Sequence, residues 1–183
     1  MIRFLGILCL LSMTLGAEPA RFIQDRFAIG FWVPPRTTNN LPERYREIRE
    51  AHFNLVIGTS GFSAEEQVRV CESLGLKVLV DADNPATPLP DGTACWGYSL
   101  SDEPGTAAFP ALAARVASLR ERRPGRLGYI NLFPNYAGPA QMGANTYEEY
   151  LRTFVETVKP YVLSMDHYPL MRPGDDSRSE YLK

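Results

Sequence analysis

CWGYSLSDEPG, residues 95–105, is the stretch on which the fold turns. It reads as a strand that leaves the core and ends in two adjacent carboxylates, Asp102 and Glu103. Pro104 and Gly105 then turn the chain, and a helical pattern starts near Thr106. A strand that carries an acid to the mouth of a strand–helix unit holds the carboxyl on a rigid support. An acidic pair before a proline is also what a solvated turn or a helix entry looks like. The pair therefore takes its meaning from its surroundings.

Outward from this unit the same alternation repeats. Phe27–Val33 (FAIGFWV) is an apolar run stopped by Pro34 and Pro35, which suits a buried strand. Pro42 opens a helix with Tyr45, Ile48 and Ala51 on one face, and Phe53–Gly58 is the next strand. Ser63 and Glu66 make a capping box for a helix that ends at Gly75, and Leu76–Val80 follows as a strand. From Asp81 to Ala94 the chain has three prolines and no helical period, so the third helix is missing or reduced to a turn. After strand CWGYSL, the residues Phe109, Leu112, Val116 and Leu119 form a stripe, and Pro124-Gly125 closes that helix. Leu127–Phe133 is a fifth strand, followed by a long Asn/Gly/Pro loop. Thr146 and Glu149 make a second capping box for a helix with Tyr150, Leu151, Phe154 and Val158. Tyr161–Met165 is the sixth strand and runs into Asp166-His167-Tyr168.

Alternating apolar strands and amphipathic helices predict a parallel sheet covered by helices. A doubly wound open sheet fits the length, whereas a complete (β/α)8 barrel needs about 250 residues. The polar residues decide between them. Asp81 and Asp83, Asp102 and Glu103, Asn131, and Asp166 to Tyr168 all follow the C-terminal halves of different strands. A closing barrel gathers such positions into one mouth, and an open sheet spreads them along an edge. No glycine-rich phosphate loop follows any strand. The expectation is an α/β fold, an incomplete (β/α)8 TIM-type barrel with about six strands.

Residues 1–17 (MIRFLGILCLLSMTLGA) have an early base, a short apolar run and small residues at Gly16 and Ala17, the pattern of a secretory signal peptide. The apolar run is shorter than the roughly 20 residues that span a bilayer. The mature chain, 18–183, is thus expected to be secreted or periplasmic, with no stable membrane insertion after cleavage. Nineteen basic residues against 21 acidic ones, without a basic stripe, argue against nucleic acid as a partner. Cys71 and Cys95 could pair in an oxidising compartment, but separate burial is the favoured alternative. No zinc-type Cys/His cluster is present, and no metal or cofactor is expected.

The strand-end residues resemble those of the retaining glycoside hydrolases of the large (β/α)8 superfamily that includes the β-galactosidases and many endoglucanases. In that superfamily the fourth strand ends in Asn-Glu-Pro, and here Asp102-Glu103-Pro104 stands in its place. The sequence AHFNLV, residues 51–56, is similar to the superfamily's "AGFN" step into strand two, with His52 where Gly is usual. Its sixth strand often ends in His-x-Tyr, and here Asp166-His167-Tyr168 matches only at Tyr168. The resemblance spans roughly residues 27–169. It implies a carbohydrate substrate, Glu103 as the catalytic general acid/base, and Asp102 in the place of the Asn that holds a sugar hydroxyl. It also puts the nucleophile, a second Glu, on a seventh strand. Residues 18–183 would then be the N-terminal part of a catalytic domain truncated before that strand and inactive alone.

Retaining cleavage needs two carboxyls about 5 to 5.5 Å apart. Asp102 and Glu103 are expected to point to opposite sides of an extended strand, leaving Asp166 or Asp81 as partners within this chain. Trp32, Tyr136 and Tyr168 follow strand ends and could bind sugar faces, as could Tyr129; Trp32 and Tyr129 could equally be core. Trp96 belongs at the opposite end of the strands as a structural residue. Asn131, polar inside an apolar strand, is read as a ligand contact or a partner for neighbouring strand-end groups. Two other classes compete. One is a carboxylate-metal-dependent barrel hydrolase or isomerase using Asp81, Asp83, Glu103, Asp166 and His167. The other is a non-catalytic carbohydrate-binding protein.

Overall fold

Six strands pair in the order in which the chain reaches them. The computed structural model describes residues 20–35, 40–58 and 61–168. β1 (Gly30–Trp32), β2 (Leu55–Ile57), β3 (Lys77–Asp81), β4 (Cys95–Asp102), β5 (Leu127–Leu132) and β6 (Ser164–Met165) form one sheet in the order 1-2-3-4-5-6. Every neighbouring pair is parallel. The signal-like residues 1–17 lie outside the described residues.

All the long helices pack on one face. α1 (Leu41–Glu50), α2 (Ala64–Leu74), α3 (Phe109–Arg122) and, after the short α4 (Pro139–Met142), α5 (Tyr147–Val158) cover the sheet. Tyr45, Val68, Phe109, Leu112, Tyr150 and Phe154 from these helices join Val56, Val78, Val80, Leu100 and Ile130 in one apolar core. The opposite face carries a smaller cluster, Leu55, Leu79, Trp96 and Leu127, with Phe22, Ile57 and Tyr129 against it and, among the described residues, no helix. Right-handed crossovers that always step in one direction put every helix on the same side. The result is a curled, half-barrel sheet, not a doubly wound one. Trp96 is buried in the inner cluster against Phe22, with ring centroids 5.8 Å apart, in the structural role expected of it.

The helix signals operate locally. Ser63 Oγ accepts the Glu66 N–H, and Gly75 closes α2 at φ 68°. Thr146 Oγ1 accepts the Glu149 N–H, while the Glu149 carboxylate accepts the N–H of Asn145, one residue ahead of the cap. The outer strands are shorter than their apolar runs. Before β1, the side chain of Asn54 accepts from Ile29 N and donates to Phe27 O, so a side chain replaces the ladder there and Phe27 is left exposed. α4 was not expected in the Asn/Gly/Pro loop. Pro139 at its start and Gly143 in the left-handed region at its end account for it.

The connection after β3 has no helix, as its prolines predicted, and arginines hold it instead. Arg115 donates to Leu100 O at 3.0 Å and to Ala82 O. Arg123 donates to Leu89 O at 2.6 and 3.0 Å, and Arg126 to Gly92 O at 3.0 Å and to Cys95 O. Cys71 and Cys95 are both buried and free, so the disulfide alternative does not form. Among the described residues no helix is long and apolar enough to cross a membrane.

Candidate functional site

β4 and β5 set the site through an irregular register. Ser99 faces Tyr129, but Ser101 faces Ile130 and Asp102 faces Asn131, so β4 carries one extra residue. Such a bulge re-aims the side chains beyond it. It brings Asp102 onto the face of Asn131, whose Nδ2 donates to Asp102 Oδ1 at 3.0 Å. The same Nδ2 donates to Asp166 Oδ1 at 2.7 Å, across from β6. Ser164 Oγ donates to Asn131 Oδ1 at 3.0 Å, and Tyr129 Oη lies 2.8 Å from Ser164 Oγ. Asn131 is only 3% exposed, so the amide is enclosed by these partners.

Glu103 leaves the strand. Its φ of 45° is in the left-handed region, where a residue with a Cβ is strained. Its N–H donates to Asn131 O at 2.8 Å, and the next carbonyl, Pro104 O, accepts from Tyr150 Oη at 2.7 Å. The turn is thus held from the sheet and from α5. This overturns the expectation that Asp102 and Glu103 point apart. The strand ends at Asp102, the left-handed turn rotates Glu103, and both line one cavity of about 380 Å³.

That cavity is also lined by Trp32, Phe133, Pro134, Tyr136, Gln141, Asp166 and Tyr168. Trp32, Tyr136 and Tyr168 are about half exposed at its rim, and Tyr168 Oη donates to Asp166 Oδ2 at 3.3 Å. Glu103, Asp102, Trp32, Tyr136, Asp166 and Tyr168 all line it as expected; Asn131 lies beneath the carboxylates and binds them, and Tyr129 packs in the inner cluster instead. A second cavity of about 240 Å³ shares Trp32 and Asp102 and adds Asp81, Asp83, Ser99 and Ser101. Asp81 therefore lines the cavity beside the one that holds Glu103. The Trp32 and Tyr129 ring centroids are 6.3 Å apart.

Partial burial raises the Glu103 carboxyl above its ordinary value, and a hydrogen bond with the Asp166 carboxyl and the charges of Asp166 and Asp102 push it the same way. Burial also raises the Tyr129 phenol. For Tyr168 the largest cause is the charge of Asp166, again upward. The surroundings shift Glu103 toward its protonated form, the direction a general acid needs.

Among the described residues no group of three or more His, Cys, Asp or Glu side chains is placed to hold a metal ion. Ser164 and Gln141 were not foreseen. Ser164 had a signal, a lone hydroxyl inside the apolar YVLSM run; Gln141 sits on the unforeseen α4. No protein-family model matches the chain, and no curated protein is significantly similar to it.

Proposed function

We propose that the chain carries the acid/base half of a retaining glycoside hydrolase site on a (β/α)8 TIM-type barrel. The observation that carries the reading is Glu103. It sits at the end of β4, strained, with its proton affinity raised, in a cleft rimmed by Trp32, Tyr136 and Tyr168. Aromatic rims suit the C–H faces of sugar rings, and a carboxyl that keeps its proton suits a glycosidic oxygen.

In this reading Glu103 gives its proton to the leaving oxygen as the glycosidic C–O bond breaks. A second carboxylate attacks the anomeric carbon, and Glu103 then takes a proton from the water that releases the sugar. Asp166 lies close enough to Glu103 to raise its proton affinity and is assigned here as its neighbour, not as the nucleophile. The family that the chain resembles supplies it from a seventh strand, and six are described here. Export under the residue 1–17 leader belongs to the same proposal and is tested by the N-terminal mass of the mature protein.

The test is Glu103→Gln in a full-length protein that includes the seventh strand, assayed on aryl glycosides of graded leaving-group acidity. Loss of an acid should slow poor leaving groups by about 100-fold or more and spare the most acidic ones. Azide should restore turnover as a glycosyl azide. Equal loss across the series, or none, rejects the assignment. Unchanged sugar affinity without turnover in the wild type would favour a binding protein.

A further inference from the structure

The amide of Asn131 has only one orientation that satisfies its neighbours. Carboxylate oxygens of Asp102 and Asp166 lie on one side, at 3.0 and 2.7 Å, and ionised carboxylates accept but cannot donate. The amide must turn its NH2 toward them. Its oxygen then faces Ser164 Oγ at 3.0 Å, which commits the single Ser164 hydroxyl hydrogen. Tyr129 must in turn donate to Ser164, across 2.8 Å. A directed chain runs Tyr129, Ser164, Asn131, and then forks to the two carboxylates. Chains of this kind polarise along their length, and a buried member that loses a partner is costly.

Asn131 also meets Glu103 through the backbone, because its carbonyl accepts the Glu103 N–H at 2.8 Å. One residue on β5 thus touches Asp102 and Glu103 at the end of β4 and Asp166 just past β6.

We infer that Asn131 is a positioning residue: its amide clamps Asp102 and Asp166 and so fixes the two carboxylates that flank Glu103 in the cavity. The inference rests on the reading of Glu103 as the acid/base. It replaces the idea that Asn131 contacts substrate, since both of its NH2 hydrogens are engaged by protein. The titratable groups that act on Glu103 are Asp102 on β4, Asp166 and Tyr168 at and beyond β6, and Tyr150 on α5; Tyr129 on β5 faces Asp102 and Asp166, and His167 is next to Asp166 in the chain. The Asn131 amide is the donor that Asp102 and Asp166 share.

Asn131→Asp is nearly isosteric and swaps the donor for an acceptor or a fourth carboxyl. The group should bind a proton more tightly. Carbon-13 carboxyl titration of the full chain should then place the Glu103 midpoint higher than in the wild type by about one pH unit. In turnover by a full-length protein that includes the seventh strand, the basic limb should move the same way, with kcat down on the order of 100-fold and KM nearly unchanged. Ser164→Ala frees the amide to rotate without adding charge and should produce a smaller shift of the same sign, which covers the case in which Asn131→Asp does not fold. Circular dichroism melts confirm folding of each variant.

An unmoved Glu103 midpoint in a folded variant overturns the inference. A raised KM with an unmoved pH profile also overturns it and returns Asn131 to the substrate. The two readings fail separately. If Glu103→Gln keeps turnover, the acid/base assignment is wrong while the carboxyl titration still reads the clamp. If Glu103→Gln is inactive and the titration does not move, only the clamp is wrong.

Discussion

Glu103 hangs its backbone N–H on the carbonyl of Asn131 at 2.8 Å, one step past the Asp102–Asn131 pair that ends the β4–β5 ladder. The ladder therefore continues for one bond after the strand conformation has stopped. That bond, with the Tyr150 hydroxyl on Pro104 O, holds a left-handed residue at the cleft.

Strain at this position predicts a conflict between stability and activity. Glycine adopts φ 45° without a Cβ penalty. Glu103→Gly should raise unfolding free energy by about 1 kcal/mol while removing turnover. Urea unfolding of the two proteins checks it, and a variant less stable than the wild type would mean the turn is not strained.

The raised Glu103 titration makes stability depend on pH with a defined sign. The folded state holds the Glu103 proton more tightly than the unfolded chain, whose carboxyl titrates near 4.5. Stability from this group is therefore full below that value and is lost as pH rises through the higher folded value. Melts of wild type and Glu103→Gln between pH 4 and 8 should diverge upward in pH, the variant gaining relative to the wild type. Parallel curves would contradict the shift.

Arg115 bridges Leu100 O and Ala82 O beneath the helix-less connection. Arg115→Met should cost about 2 kcal/mol, since bonds to a charged donor are lost and two partly buried carbonyls lose their partner. Hydrogen exchange should accelerate selectively in residues 82–94. Uniform acceleration across the sheet would instead make Arg115 a global core element.

Gly97 is fixed by close approach of backbone. A Cβ there would stand 2.7 Å from the N and C atoms of Leu127. Gly97→Ala should cost about 3 kcal/mol or more by pushing β4 and β5 apart. A soluble variant with wild-type melting would show that the two strands can yield.

The two cavities that meet at Trp32 are lined by Asp81, Asp83, Asp102, Glu103 and Asp166, and by no Lys or Arg among the described residues. Neutral glycosides should be preferred to uronides or sulfated glycosides by on the order of 100-fold, because like charges in an interface cost several kcal/mol. The preference should shrink as salt is added. Competition measured at low and high ionic strength decides it, and tight binding of a uronide would reject it.

The element order was legible because its signals are local. Ser63 and Thr146 cap helices through bonds spanning three residues, and the stripe from Phe109 to Leu119 is a property of one helix. The short α4 was missed although Pro139 and Gly143 mark its ends, because a single turn has no hydrophobic period to read.

Which strands exist, and that Asp102, Glu103, Asn131 and Asp166 lie at or near strand ends, could be read directly from the residues, since apolar runs and turn residues declare themselves within a few positions. So could the break after β3. How those residues meet is set by packing between strands. The β4 bulge, the left-handed Glu103 and the Asn131 fork depend on register between β4, β5 and β6, set by contacts between residues 29 and 35 apart in the chain. A one-residue change of register turns a side chain to the other face of a sheet, and no local pattern records which register the packed strands adopt.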